Sequence, residues 1–177
     1  MKSMHWIACA ALAFTLNAVA QKPAAPKQVK VELLNAEGKN AGSVTFKTAK
    51  DGVKVKISLV GLPAGPHAVH IHQNPVCTAP DFKSAGGHFN PDGKMHGYLN
   101  PMGHHNGDMP DSVLVGSDTR GEAEFTLTNI SLDPAAKNSI FANGGTSVVV
   151  HAEADDEKSD PAGNAGGRLA CGVIKLP

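Results

Sequence analysis

The sequence predicts an all-β fold, and three observations carry that reading. Apolar and polar residues alternate in short runs, turn-forming pairs stand between several of these runs, and no stretch sustains a helical period. Alternation with one polar face belongs to antiparallel strands half buried against a core, which pack as a sandwich or barrel. Aromatic residues are only 5% of the chain and glycines number 19, which suits short strands joined by tight turns.

Residues 1–20 stand apart from this pattern. Lys2 gives a positive start, and an apolar run from Trp6 ends in Ala18, Val19 and Ala20. A small residue on either side of one variable residue is the cleavage pattern of a secretory signal peptide, and the run is too short to span a bilayer comfortably. Cys9 offers a lipoprotein alternative, but the apolar run continues past it and Trp6 is a poor residue three places before it. Cleavage after Ala20 leaves a flexible leader over residues 21–28, rich in Pro, Ala and Lys, and one domain over residues 29–177. An exported chain, periplasmic or extracellular, is expected. No later stretch is long or apolar enough to cross a membrane.

Within the domain, Val29, Val31 and Leu33 alternate with Lys30 and Glu32, and Val44 and Phe46 alternate with Thr45 and Lys47. Val53, Val55, Ile57 and Leu59 form a third run, set off from the second by the Asp51-Gly52 hairpin signal. His70 and His72 share one face of a further strand whose other face carries Val69 and Ile71. Strands are also expected at residues 113–115, 122–129, 147–151 and 170–174, with a turn over residues 118–121. Two stretches remain as long loops, residues 73–111 and the acidic 153–167. Loops of that length in a compact domain are functional or disordered. The first holds four candidate ligands and a cysteine, so order imposed by metal and disulfide is the better account.

Sixteen basic side chains balance sixteen acidic ones. That balance gives nucleic acid or an anionic membrane surface nothing to grip. Removing the signal leaves Cys77 and Cys171, and an even pair in an exported chain reads as a disulfide.

Six histidines and an aspartate carry the chemistry. His70 and His72 leave one strand face together, half of the square of nitrogens that Cu(II) prefers, and His151, at the end of another apolar run, can add a third nitrogen. His88, His96, His105 and Asp108 supply three imidazoles and a carboxylate, which suits a closed tetrahedral zinc site. His104 offers a rival register, but the H-x-x-D spacing selects His105 and leaves His104 as a solvent-facing neighbour. Seven ligands exceed what one tetrahedral ion accepts, and sharing His88 gives each of two ions four.

The strings HAVHIH, GGHFNP, HNGD, VVVHAEADD and GNAGGRLACGVI resemble copper/zinc superoxide dismutase, in order and over nearly the whole domain. The resemblance implies an eight-stranded Greek-key β-barrel of immunoglobulin-like sandwich type with two long functional loops, and a Cys77–Cys171 disulfide. It implies copper on His70, His72, His88 and His151, and zinc on His88, His96, His105 and Asp108. Asp155 matches the aspartate that links a copper histidine to a zinc histidine, here His70 and His96. His67 matches a histidine that packs beneath the site without binding metal. The implied reaction is dismutation of superoxide to dioxygen and hydrogen peroxide by alternate reduction and reoxidation of copper. His88 would serve as the bridging, proton-carrying imidazole and Arg168 as the cation beside copper. The alternative is a non-catalytic envelope copper or zinc carrier on the same fold, which needs neither Arg168 nor a bridge. The acids Asp155, Asp156, Glu157 and Asp160 face a single Lys158 in the second loop, so strong electrostatic steering is not expected from it. Monomer and homodimer both remain open.

Overall fold

The computed structural model describes residues 24–177; the expected signal peptide, residues 1–20, and the start of the leader lie outside them. The first three strands form a meander: β1 (Gln28–Asn35), β2 (Asn40–Ala49) and β3 (Gly52–Val60). Their alternating residues bury Val31, Leu33, Val44, Phe46, Val55, Ile57 and Leu59 on one face. The β2–β3 hairpin pairs Ala49 with Gly52, so its two-residue loop is Lys50-Asp51 and not the expected Asp51-Gly52. Gly52 is required for another reason. Its φ is +140°, and a Cβ there would strike the Leu127 carbonyl.

The chain then bends at Ala68, which separates two short strands, β4 (Gly65–His67) and β5 (Val69–His72). β4 pairs with β6 (Val113–Val115), while β5 pairs with β8 (Thr146–His151). This split is what closes the sheet. A seven-stranded sheet runs β5-β8-β9-β1-β2-β3-β7, with β7 at Arg120–Leu127 and β9 at Arg168–Ile174. From β7 a tight turn leads back to β6, held by Gly116 N–H donating to the Arg120 carbonyl at 2.8 Å. β6 returns through β4 to β5, completing a barrel of Greek-key order. Counting β4 and β5 as one bent strand gives the expected eight. β4 was not legible as a strand because Gly65-Pro66-His67 carries no apolar alternation.

β5 and β8 are buried on both faces. Val69, Ile71, Val148 and Val150 enter the barrel core, and the long loop of residues 73–112 covers the opposite face. There Val149 and Cys171 pack with Phe82 and Ala85 of the loop. A disulfide, Cys77–Cys171, ties that loop to β9 across 94 residues of sequence. Among the described residues no helix is long and apolar enough to cross a membrane.

Closing a loop of this length removes unfolded-state entropy worth about 4–5 kcal/mol. The double variant Cys77→Ser/Cys171→Ser is expected to lose stability of that order in urea unfolding of the metal-free chain. A loss below about 1 kcal/mol would show that the loop is held by its packing alone.

Candidate metal centre

Three segments meet at the outer edge of β5 through a ring of backbone hydrogen bonds. Ile71 N–H donates to the Gly107 carbonyl, Gly107 N–H to the Phe89 carbonyl, and Phe89 N–H to the Ile71 carbonyl, each at 2.8 Å. Every residue of the ring neighbours candidate ligands: Ile71 lies between His70 and His72, Phe89 follows His88, and Gly107 precedes Asp108. Gly107 has to lack a side chain, since a Cβ would collide with the Ile71 carbonyl. Two segments of the long loop are thereby docked on one strand, and six histidines and Asp108 come together with every one of these residues buried.

Each ring is aimed by what its other nitrogen touches. An ionised carboxylate only accepts hydrogen bonds, so its histidine partners present N–H groups. Asp155 accepts from His70 Nε2 at 2.6 Å on one oxygen and from His96 Nε2 at 3.0 Å on the other. His70 Nδ1 is left buried without a partner. His72 Nδ1 donates to the Gly86 carbonyl at 2.9 Å, which frees Nε2, 3.3 Å from His151 Nε2. His88 Nδ1 donates to Asp108 Oδ1 at 2.8 Å and leaves Nε2 buried and unpartnered on its other side. Ligating atoms of His70, His72, His88 and His151 all lie within 4.8 Å of one another.

The second set gathers on Asp108. Its Oδ1 lies 2.8 Å from His88 Nδ1, 3.1 Å from His96 Nδ1 and 3.3 Å from His105 Nδ1, and the His88 and His105 Nδ1 atoms are 3.3 Å apart. A tetrahedral zinc ion with bonds of about 2.0–2.1 Å spaces its donors about 3.3–3.4 Å apart, so these atoms fit a zinc cradle. His70 also falls within 4.8 Å of His88, His96 and Asp108. Its Nε2 is already engaged by Asp155, however, so its free Nδ1 belongs with the copper-type set and His105 completes the other. The remaining oxygen of Asp108 accepts from the His105 and Gly97 backbone N–H groups at 3.0 and 2.9 Å.

Electrostatics favour the ligand form of these rings. Burial, then the positive charge that His88 and His151 would add, holds the His72 pKa well below 6.5. Burial and His70 push His88 down to about 3 against the pull of Asp108. Burial, His70 and His88 bring His151 to about 2. The Gly166 carbonyl lies close enough to oppose that last shift, although His151 Nδ1 makes no hydrogen bond of ordinary geometry. His96 differs. Burial works against its protonation, but Asp108 and Asp155 outweigh that effect and raise it to about 10. An arriving ion therefore displaces a proton from His96.

Arg168 opens β9 and its guanidinium donates to the Phe82 and Gly86 carbonyls, each at 2.7 Å. Gly86 thus holds both Arg168 and His72. Arg168, His72, His88 and His151 line a cavity of about 420 Å³ together with Pro161 and Ala162 of the acidic loop. His67 lies beneath, its ring nitrogens 2.8 Å from the His151 and Pro63 carbonyls. His104 is half-buried, a neighbour of the site as expected but not a free one. Its ring stacks on Tyr98 at 3.7 Å, with Nδ1 on the His105 carbonyl.

The acidic loop spends its carboxylates on N–H groups of its own turn and of the first loop. Asp156 accepts from Lys158, Ser159 and Asn164 N–H groups, and Asp160 accepts from His96 N–H at 2.8 Å. Glu157 takes Tyr98 N–H, and burial, then the Asp155 charge, pushes it up to about 7. Gly163 leaves room for Asp155, whose Oδ1 a Cβ would strike. Sequence reasoning did not find Gly86, Asp160 or Asn106, which act through backbone groups or lie one residue from a ligand. The HNGD string was the signal for the last.

The family model described as copper/zinc superoxide dismutase (SODC) matches residues 40–174. This chain belongs to that family. A Cu-Zn superoxide dismutase of Aquifex aeolicus is 48% identical to it over 147 residues, 81% of this chain and 84% of the relative. The crystal structure of a SOD-like protein from Bacillus subtilis is 39% identical, with a TM-score of 0.77 over 82% of this chain and 97% of that one. The Cu/Zn superoxide dismutase of Brucella abortus is 29% identical, with a TM-score of 0.67 over 84% and 99%.

The pKa directions set a pH window for the metal-free protein. Unfolded histidines titrate near 6.5, whereas folded His88 and His151 resist protonation to about 3 and about 2. Stability from these rings is complete above pH 6.5 and is lost as the pH falls through that interval. His96 has the opposite sign: its contribution is complete below 6.5 and is lost as the pH rises through about 10. The Tm of metal-stripped protein is therefore expected to peak near neutrality and to fall more steeply on the acid side. A Tm that stays flat between about pH 7 and 4 would contradict this assignment.

Proposed function

We propose that this chain dismutes superoxide, with copper on His70, His72, His88 and His151 and zinc on His88, His96, His105 and Asp108. The observation that carries the reading is the pair of donor sets joined at the His88 ring beneath a cavity that holds Arg168. When bound, copper supplies the one-electron couple that one superoxide reduces and a second reoxidises, while zinc supplies a fixed charge without changing oxidation state.

The chain's own residues do the remaining work. Arg168 attracts and orients the small anion; burial lowers its pKa, yet a guanidinium remains charged. Two carbonyls fix its fork, so the cation does not wander from the cavity. His88 presents Nδ1 to the Asp108 side and Nε2 to the copper side. A proton held at Nε2 can pass to the second superoxide, and water supplies the other proton of hydrogen peroxide. Asp155 holds His70 and His96 in one orientation through both half-reactions.

Export is part of the proposal. The small-residue motif at residues 18–20 and the closed Cys77–Cys171 bond support a signal peptide over residues 1–20, a leader to residue 28 and a mature domain in an oxidising compartment.

The purified mature chain, loaded with both metals, is expected to remove superoxide and to lose that activity when copper is stripped. Full copper loading without activity would overturn the proposal. Arg168→Ala is expected to lower the rate roughly tenfold or more at unchanged metal content, since a fixed cation at a cleft raises anion capture about 10–10³-fold. Loss of copper in that variant would mean that Arg168 serves the activity only by holding the loop.

A further inference from the structure

Asn106 stands inside the HNGD turn, between His105 and Gly107, and is 1% exposed. Its side chain is fully committed. Nδ2 donates to Asp92 Oδ2 at 2.8 Å and to the Asn129 carbonyl at 2.7 Å, and Oδ1 accepts from Asp92 N–H at 3.3 Å. Asn129 Nδ2 returns a bond to the His105 carbonyl at 3.3 Å. On its outer side Asp92 Oδ1 takes Lys137 Nζ at 3.2 Å. The hydrogen bond from Asn106, then that from Lys137, lowers the Asp92 pKa, so Asp92 is an anion in this arrangement.

These bonds connect the segment bearing His88 to the turn bearing His105 and Asp108. The ring bonds hold this turn at Gly107 alone, and on the His105 side its internal support is weak: Asp108 N–H reaches the His105 carbonyl at 3.3 Å, and His105 N–H rests on the Asp108 carboxylate itself. A buried amide has a strong preference for the one placement that satisfies it, because groups left unpaired lose their hydration with nothing in exchange. Fixing the Asn106 side chain therefore fixes the backbone between the two ligands.

We propose that Asn106, gripped by Asp92 and the Asn129 carbonyl, is a positioning residue that sets His105 and Asp108 at zinc-binding separation before the ion arrives. The inference rests on the zinc set proposed above. It makes zinc affinity, rather than the fold or the copper set, the property that depends on Asn106. Asp92 shares the role through the same hydrogen bonds, and Lys137 only holds Asp92 from outside.

The test is competition of zinc, and separately of copper, between a chromophoric chelator and metal-free protein. Asn106→Ala and Asp92→Ala are each expected to weaken zinc binding roughly 10–100-fold, the usual cost of losing a group that orients a ligand. The double variant is expected to be no weaker than the poorer single one, since both remove one linkage, and copper affinity should stay within about twofold. Asp92→Asn keeps an acceptor for Asn106 and is expected to restore most of the zinc affinity. Asp92 is half exposed, so its variants report even where Asn106→Ala folds poorly. A parent chain that takes no zinc would overturn the metal assignment and this inference with it. A parent and variants with equal zinc affinity, or variants that lose copper and zinc alike with a matching fall in Tm, would overturn the positioning role alone.

Discussion

The ring of hydrogen bonds among Ile71, Phe89 and Gly107 is the constraint on which the metal centre depends. β5 uses one edge to pair with β8, and the ring occupies the other with two segments of the long loop. An irregular loop of some forty residues cannot hold four donors at fixed separations by its own conformational preferences, because each ordered residue costs about 1–2 kcal/mol of backbone entropy. Two hydrogen bonds to a barrel strand and one between the loop's own segments leave His88, His105 and Asp108 only one or two residues from the ring, while His96 is held by Asp160 and Asp155. The disulfide at Cys77 and the guanidinium of Arg168 then fasten the near end of the same loop to β9.

Orientation follows position. Backbone carbonyls and Asp155 take one nitrogen from each of His70, His72 and His96, which decides the nitrogen that faces inward. Burial and the mutual repulsion of would-be cations keep His72, His88 and His151 neutral, which is the state that ligates metal. His96, between two carboxylates, is the exception whose proton must leave. The acidic loop acquires a structural meaning in the same way. Asp160 and Glu157 accept from the His96 and Tyr98 backbone N–H groups and Asp156 from Lys158 and Ser159 in its own loop, so the negative charge that looked adverse for an anion's approach serves to fold the wall of the cavity.

The sequence made the meander legible because Val29 to Leu33, Val44 to Phe46 and Val53 to Leu59 alternate cleanly, and alternation reports a half-buried strand directly. It was silent on β4 because Gly65-Pro66 has no side-chain pattern, and the break at Ala68 that closes the barrel is a backbone event. The Asp51-Gly52 signal located the hairpin but misplaced its centre by one residue, since Gly52 serves a close approach to Leu127. The seven candidate ligands stood out through residue type and spacing, and the structure places them in one buried cluster. Of their orienting partners Asp155 was expected, from its place in the HAEADD string, and the others were not. Gly86 and the Asn129 carbonyl act through backbone atoms that every residue possesses, and Asn106 resembles any turn asparagine until Asp92 is seen beside it. His104 illustrates the same limit, because only the folded loop brings Tyr98 under its ring.

The central claim is that one imidazole, His88, belongs to both donor sets, and its removal tests that claim most directly. Copper and zinc affinities of metal-free His88→Ala should both fall well below those of the parent. In His72→Ala only copper binding should suffer, and in His105→Ala only zinc binding. Loss of a single metal's affinity on replacing His88, with the other unchanged, would contradict the shared-ligand account.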